Sequence, residues 1–270
     1  MPIRPAVVIL QPMEGLRAKF RTAPVTVLLA AACVAVFALE YFLLVTGRSQ
    51  MLALLSLSGD GLARGRWWTL VTHLFVHANL LHLAVNVAGL WLIGPEVEMT
   101  LGRVRFLVLY LASGMAGGAL QTVFSAPSSE LVGASGAVCG ILLSFTTAYP
   151  EMPLRALLFF ILPVSMKAKT LGRGLVVFSL ACAVLKILPQ LGHLAHLGGA
   201  LTGALLTRFW LPGRPRLRPL ASLSADDRAA EADDLLHRLS QEGIESFTRE
   251  ERRRLEMLSE KTRPRGGGRW

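Results

Sequence analysis

Leu131–Tyr149 reads LVGASGAVCGILLSFTTAY and sets one serine, Ser135, between Gly133 and Gly136 at the mouth of an apolar run long enough to enter a bilayer. A hydroxyl in such surroundings needs a hydrogen-bonding partner or a site to line. Further along, Gly192–Gly203, GHLAHLGGALTG, places His196 in a second apolar run. At about 100° per residue, His196 falls about 40° from Gly192, Gly199 at about −20° and Gly203 at about 20°. One helical face therefore carries a histidine and three glycines, and small residues let two backbones approach closely. Gly136 and Gly140 give the serine run its own small-residue pair. The two segments are expected to pack together, with Ser135 and His196 as a hydrogen-bonded pair.

The rest of the chain has the composition of a membrane protein: 53% of its 270 residues are hydrophobic and only 17% are charged. Residues 1–211 hold 15 Lys/Arg against 7 Asp/Glu, mostly between apolar runs, whereas residues 212–270 hold 13 against 11. Much of the positive excess thus borders hydrophobic segments, where it marks the cytoplasmic side, and the high pI is no nucleic-acid signal. Cys33, Cys139 and Cys182 are odd in number and lie within apolar runs, which implies no disulfide framework. The first run has spanning length and starts near Ala23, unlike a cleavable signal.

Six spans are expected: Ala23–Val45, Leu80–Ile93, Phe106–Phe124, Leu131–Tyr149, Leu171–Leu188 and Leu191–Leu211. The connector Gly47–Asn79 holds MLALLSL and WWTLVTHLFVHA, both too short to span, the second an interfacial or re-entrant element anchored by Trp67 and Trp68. Leu154–Met166, broken by Pro163, reads as an interfacial hairpin. With six spans both termini share one side, and 14 Lys/Arg flank the spans there against 4 on the other, so that side is cytoplasmic. The fold class is an all-α polytopic membrane protein, a bundle of six transmembrane helices with a small C-terminal helical hairpin. Residues 1–22 form a cytoplasmic segment, 23–211 the six-helix domain and 212–270 a soluble cytoplasmic tail. In that tail Ser224 with Asp227 and Thr248 with Glu251 have capping-box spacing, and Gly243 falls where the chain reverses. Leu235, Leu236, Leu239, Leu255 and Leu258 supply an apolar seam, and the final PRGGGRW reads as disordered.

Polar groups within apolar runs are costly and converge here on three spans. His82 and Asn86 share one face of the second, Ser135 lies in the fourth, and His193 and His196 lie in the sixth. A nucleophilic hydroxyl needs an adjacent base, for which His196 is the candidate. No Asp or Glu lies in either segment, which favours a dyad over a triad. The Ser135 N–H with the side chains of His82 and Asn86 are candidate donors to a developing oxyanion. The tetrapeptide GASG is not the GxSxG elbow of soluble hydrolases, which needs a strand-to-helix turn that this apolar run is not expected to contain.

The conjunction of HLAVN (His82–Asn86), GASG (Gly133–Gly136) and AHLGG (Ala195–Gly199), with Gly203 beyond, resembles the rhomboid family of intramembrane serine proteases over roughly Arg66–Leu211. Glu98 with Gly102, followed by Arg105 and Phe106, match the family's second connector. The resemblance implies Ser135 as nucleophile, His196 as base, and His82 and Asn86 as oxyanion contributors. It implies transmembrane protein substrates cut in or near the bilayer, no metal and no soluble cofactor. It further implies an integral protein of a bacterial inner membrane. One departure lies in the first connector, where Trp68 is followed by Thr69 instead of the family's usual Arg. The tail resembles a short helical appendage of some bacterial rhomboids.

Three competing readings remain. His73 and His77 have the i, i+4 spacing of a zinc pair, but Leu74 occupies the position of the HExxH general base, so both are expected to hydrogen-bond within the connector. Glu40 either marks an ion path or, as a carboxylate near the interface, pairs with a connector residue or reaches the headgroups. A relative that binds membrane clients without cutting them is the alternative function.

Overall fold

A computed structural model describes residues 22–46, 54–158, 162–187, 192–211, 224–243, 247 and 249–262. The described residues fall into two compact units, one within Ile9–Leu217 and one within Arg218–Trp270. In the first, Pro24 opens α1 (Pro24–Val45), a position where the missing N–H costs nothing. The other first-turn donors of α1 find their acceptor far along the chain. Glu98, fully buried on α4 (Leu80–Leu101), accepts from Val25 N at 3.1 Å, Thr26 N at 2.7 Å and Thr26 Oγ1 at 2.8 Å.

The described part of the connector from α1 to α4 includes the short helices α2 (Gly59–Ala63) and α3 (Thr69–Thr72). It seats on α5 (Arg103–Val123), where Leu74 occupies the space beside Gly114, and Leu57 and His73 that beside Gly118. Thr69 is buried and donates to the Arg66 carbonyl at 2.7 Å, so the residue standing in place of the family's usual arginine is a core residue of the connector. Trp67 and Trp68 are exposed, as interfacial anchors must be, and Trp68 Nε1 donates to the Leu54 carbonyl at 2.9 Å.

The expected second span ends at Ile93, yet α4 continues through Pro95 to Leu101, because Gly94 packs on Thr26 and Glu98 binds the start of α1. The expected fourth span is instead in two parts. Leu131 pairs with Leu57 in an isolated antiparallel bridge, and α6 (Ser135–Ala148) begins only at the serine. Beyond it, β1 (Pro153–Leu158) and β2 (Leu162–Lys167) form an antiparallel hairpin, with Pro153 opposite Lys167 and Leu158 opposite Leu162. Two further helices, α7 (Ala168–Leu185) and α8 (His193–Trp210), complete the bundle.

Among the described residues, four helices, α1, α4, α5 and α7, are long and apolar enough to cross a membrane. α6 is shorter, at 14 residues. At about 1.5 Å per residue it reaches about 21 Å, against a hydrocarbon core of about 30 Å. If its far end meets one interface, its first residue lies within the apolar layer. The described residues of this unit thus form a mostly helical bundle with several candidate membrane spans.

In the second unit, α9 (Ala225–Glu242) starts with a capping box, Asp227 N donating to Ser224 Oγ at 3.0 Å, and ends at Gly243 with φ 74°. α10 (Arg249–Thr262) packs on it through Leu235, Phe247 and Leu258, flanked by Ala232, Leu239 and Leu255. Leu236 does not join the expected seam. It sits about 100° round the helix from Leu235 and is half exposed, and Phe247 fills the core in its stead. Buried Arg254 pairs with Glu231, and Arg238 with Glu251 at 3.0 Å. Thr248 and the C-terminal PRGGGRW lie outside the described residues.

Candidate active site

Three backbone hydrogen bonds fix the segment before Ser135. Leu57 N–H donates to the Leu131 carbonyl at 3.0 Å, Leu131 N–H returns a bond at 2.7 Å, and Gly133 N–H donates to the His73 carbonyl at 2.8 Å. Gly133 has φ 116°, a conformation that suits glycine, and a Cβ there would meet the His82 ring at 2.5 Å. The chain then turns directly into α6 with Ser135 as its first residue. Among the described residues no strand precedes α6, in keeping with the expectation that the strand-to-helix turn of the GxSxG elbow is absent. A single bridged residue and a positive-φ glycine lead into the helix in its place.

Glycines set the distance between α6 and α8. A Cβ on Gly199 would collide with the Gly136 carbonyl, one on Gly203 with the Gly140 carbonyl, and one on Gly136 would reach the Ala195 carbonyl at 3.2 Å. The backbones therefore touch, as the face calculation requires. Lower down, Thr207 Oγ1 donates to Ser144 Oγ at 2.6 Å, a buried link that the sequence signals only as two hydroxyls in apolar runs. Between these contacts and the helix starts, His196 Nε2 and Ser135 Oγ lie 2.9 Å apart, both partly buried.

The other expected site residues surround this pair. His82 lies beside Gly133, with its backbone N–H capped by Asn79 Oδ1 at 2.9 Å. Asn86 is buried one turn on, and its Nδ2 donates to the His82 carbonyl at 2.8 Å. His193 is buried at the start of α8, with Nε2 at 2.9 Å from the Ile187 carbonyl and its ring edge-on to His196. His73 Nδ1 lies 2.7 Å from the Thr69 carbonyl and His77 Nδ1 3.1 Å from that of Phe75. Both connector histidines hydrogen-bond locally, as expected. Burial pushes the pKa of each down to about 4, and the neighbouring His82 adds to the effect at His77. Glu40 is buried, with the His77 backbone beside its carboxylate, so it faces the connector and not the headgroups.

The sequence from 64 to 213 matches the Rhomboid domain. The chain belongs to the rhomboid family. Among individual relatives of this rhomboid chain, the Rhomboid protease GluP of Bacillus subtilis (strain 168) is 44% identical over 81 residues, 30% of this chain and 16% of the relative. The Rhomboid protease GlpG of Yersinia pestis (strain Pestoides F) is 28% identical over 191 residues, 69% of this chain and 62% of the relative. The Presenilin-associated rhomboid-like protein A, mitochondrial, of Danio rerio is 34% identical over 145 residues, 52% and 37% of the two chains. The chain thus spans less than two thirds of the length of each of these relatives.

Proposed function

We propose that this rhomboid-family chain is an intramembrane serine endopeptidase that cuts transmembrane proteins in or near the bilayer. The observation that carries the reading is the 2.9 Å hydrogen bond between His196 Nε2 and Ser135 Oγ. In the reaction, Ser135 Oγ attacks the scissile carbonyl carbon while its proton passes to His196 Nε2. The carbonyl oxygen becomes an oxyanion. Its donors are the Ser135 N–H, which as the first residue of α6 has no intrahelical acceptor, and the side chains of His82 and Asn86. Asn86 commits one amide hydrogen to the His82 carbonyl and retains a second. Collapse breaks the C–N bond, and the amine leaves with the proton held by His196. Water then attacks the acyl-serine with His196 again as base, freeing the carboxylic acid and restoring Ser135.

The absence of Asp and Glu from Leu131–Tyr149 and Leu191–Leu211 supports a dyad. On this reading the chain uses neither metal nor cofactor, its partners are transmembrane substrates and lipid, and both termini of the inner-membrane protein are cytoplasmic. Residues 1–22 form the leading cytoplasmic segment, 23–211 the six-span protease domain and 212–270 the soluble tail. The test is cleavage of a reporter transmembrane protein by the purified chain in liposomes. Wild type cuts, and Ser135→Ala and His196→Ala each abolish cutting. Undiminished cleavage by either variant refutes the assignment, while a wild type that binds reporters without cutting them establishes the non-cleaving alternative. Membrane proteomics comparing wild type with Ser135→Ala then names the natural substrates.

A further inference from the structure

We infer that Gln121 is a positioning residue for this reaction, capping from α5 the helix that carries His196; the inference rests on the Ser135–His196 reading. The N–H groups in the first turn of a helix have no intrahelical acceptors, and a side chain at the N-cap usually supplies one. The N-cap of α8 is Gly192, with φ 60° and no side chain to offer. Gln121, in the last turn of α5, takes its place. Its Oε1 accepts from Leu194 N at 3.1 Å and from Ala195 N at 3.3 Å. Its Nε2 donates to Ser125 Oγ at 2.9 Å. Only the carbonyl end of an amide can accept from two N–H groups, so this pattern fixes which way the side chain faces.

The next N–H in line belongs to His196, and it makes the helix's own first bond, to the Gly192 carbonyl at 3.2 Å. Gln121 therefore fixes the turn from which the imidazole projects. One turn earlier on α5, Gly117 lies so close to α8 that a Cβ on Gly198 would meet its Cα at 2.9 Å. The glycine sets how near α8 lies, and the amide sets where α8 starts. The bundle uses this device elsewhere: α1 also lacks a capping side chain of its own, and Glu98 serves it from α4. Gln121 bonds the helix start and not the reacting atoms, so its effect on the chemistry runs through the position of His196.

The test uses the full chain in liposomes and a fluorophosphonate that labels reactive serines, with kinact and KI measured separately. Gln121→Leu keeps bulk but removes the acceptor, and kinact is expected to fall about tenfold with KI unchanged, the rate equivalent of losing a helix cap. Gln121→Glu keeps the acceptor, and Ser125 can turn its hydroxyl to donate, so kinact stays within about threefold of wild type. A wild-type kinact in Gln121→Leu, or a Gln121→Glu variant that falls as far as Gln121→Leu, overturns the inference. Should Gln121→Leu not fold, Ser125→Ala carries the test by releasing the amide: kinact falls about threefold, the low end of a cap's worth, and an unchanged kinact overturns it. Failure of the underlying dyad reading looks different, since labelling then survives His196→Ala.

Discussion

Two pairs of helices in this molecule are held together by opposite means. α6 and α8 meet through Gly136, Gly140, Gly199 and Gly203, backbone on backbone, with the Thr207–Ser144 hydrogen bond below. α9 and α10 meet through Leu235, Phe247 and Leu258, with a buried ion pair from Arg254 and a more exposed one from Arg238. A contact of the second kind gains from the expulsion of apolar side chains from water, whereas lipid gives the first pair no such drive. What remains to the membrane pair is close van der Waals contact and satisfied polar groups. That has a functional consequence. A contact made by backbone leaves no rotamers to adjust, so the spacing of the two backbones that carry Ser135 and His196 is set by the helices themselves.

The comparison breaks most severely at the glycines. Gly199→Val places side-chain carbon against the Gly136 carbonyl, an overpacking expected to cost about 3 kcal/mol or more. Cleavage should be lost and the thermal midpoint of the detergent-solubilised bundle should fall sharply. A valine variant that keeps wild-type activity would show that α6 and α8 have room to separate.

A smaller effect is expected at the distant cap of α1. Glu98→Ala strips the acceptor from two backbone N–H groups and the Thr26 hydroxyl, at a cost of roughly 2–4 kcal/mol, measurable by steric trapping or chemical denaturation of the bundle. Next comes acid. The folded connector holds His73 neutral, with its pKa near 4 where the unfolded chain has about 6.5, so the unfolded state binds more protons between those values. The stability this contributes is fully present above about pH 6.5, is lost as pH falls towards 4, and is worth on the order of 3 kcal/mol. His73→Gln should flatten the slope of bundle stability over that interval, as read by denaturation at stepped pH.

The smallest effects lie in the α9–α10 hairpin. Arg254→Met leaves Glu231 without its buried partner and should destabilise α9–α10 by about 1–2 kcal/mol. Arg238→Ala, at a more exposed pair, should cost under about 1 kcal/mol. Hydrogen exchange of the full chain would read both in the hairpin amides, with the amides of α6 and α8 unchanged.

Much of the site was legible in the sequence because its elements carry periodic signals. The face shared by His196, Gly199 and Gly203 follows from the helical repeat alone, and the polarity of His82 and Asn86 stands out against apolar neighbours. The start of α6 was not legible. Leu131 and Val132 are as apolar as the helix after them, and only the pairing of Leu131 with Leu57 and of Gly133 with the His73 carbonyl keeps them out of it. Partners distant in the chain leave no mark on local pattern. The same holds for Glu98 and Gln121, whose residue types show in the sequence but whose use as caps depends on helices placed beside them. Leu236 failed for the opposite reason: hydrophobicity was counted without the angle that turns it outward.

The central claim is that the His196 imidazole activates the Ser135 hydroxyl. The most direct measurement is peptide mass spectrometry of the full chain in liposomes after reaction with a fluorophosphonate. The adduct should sit on Ser135 and vanish in His196→Ala with the bundle still folded. An adduct on another serine, or undiminished labelling of Ser135 without His196, would contradict the account.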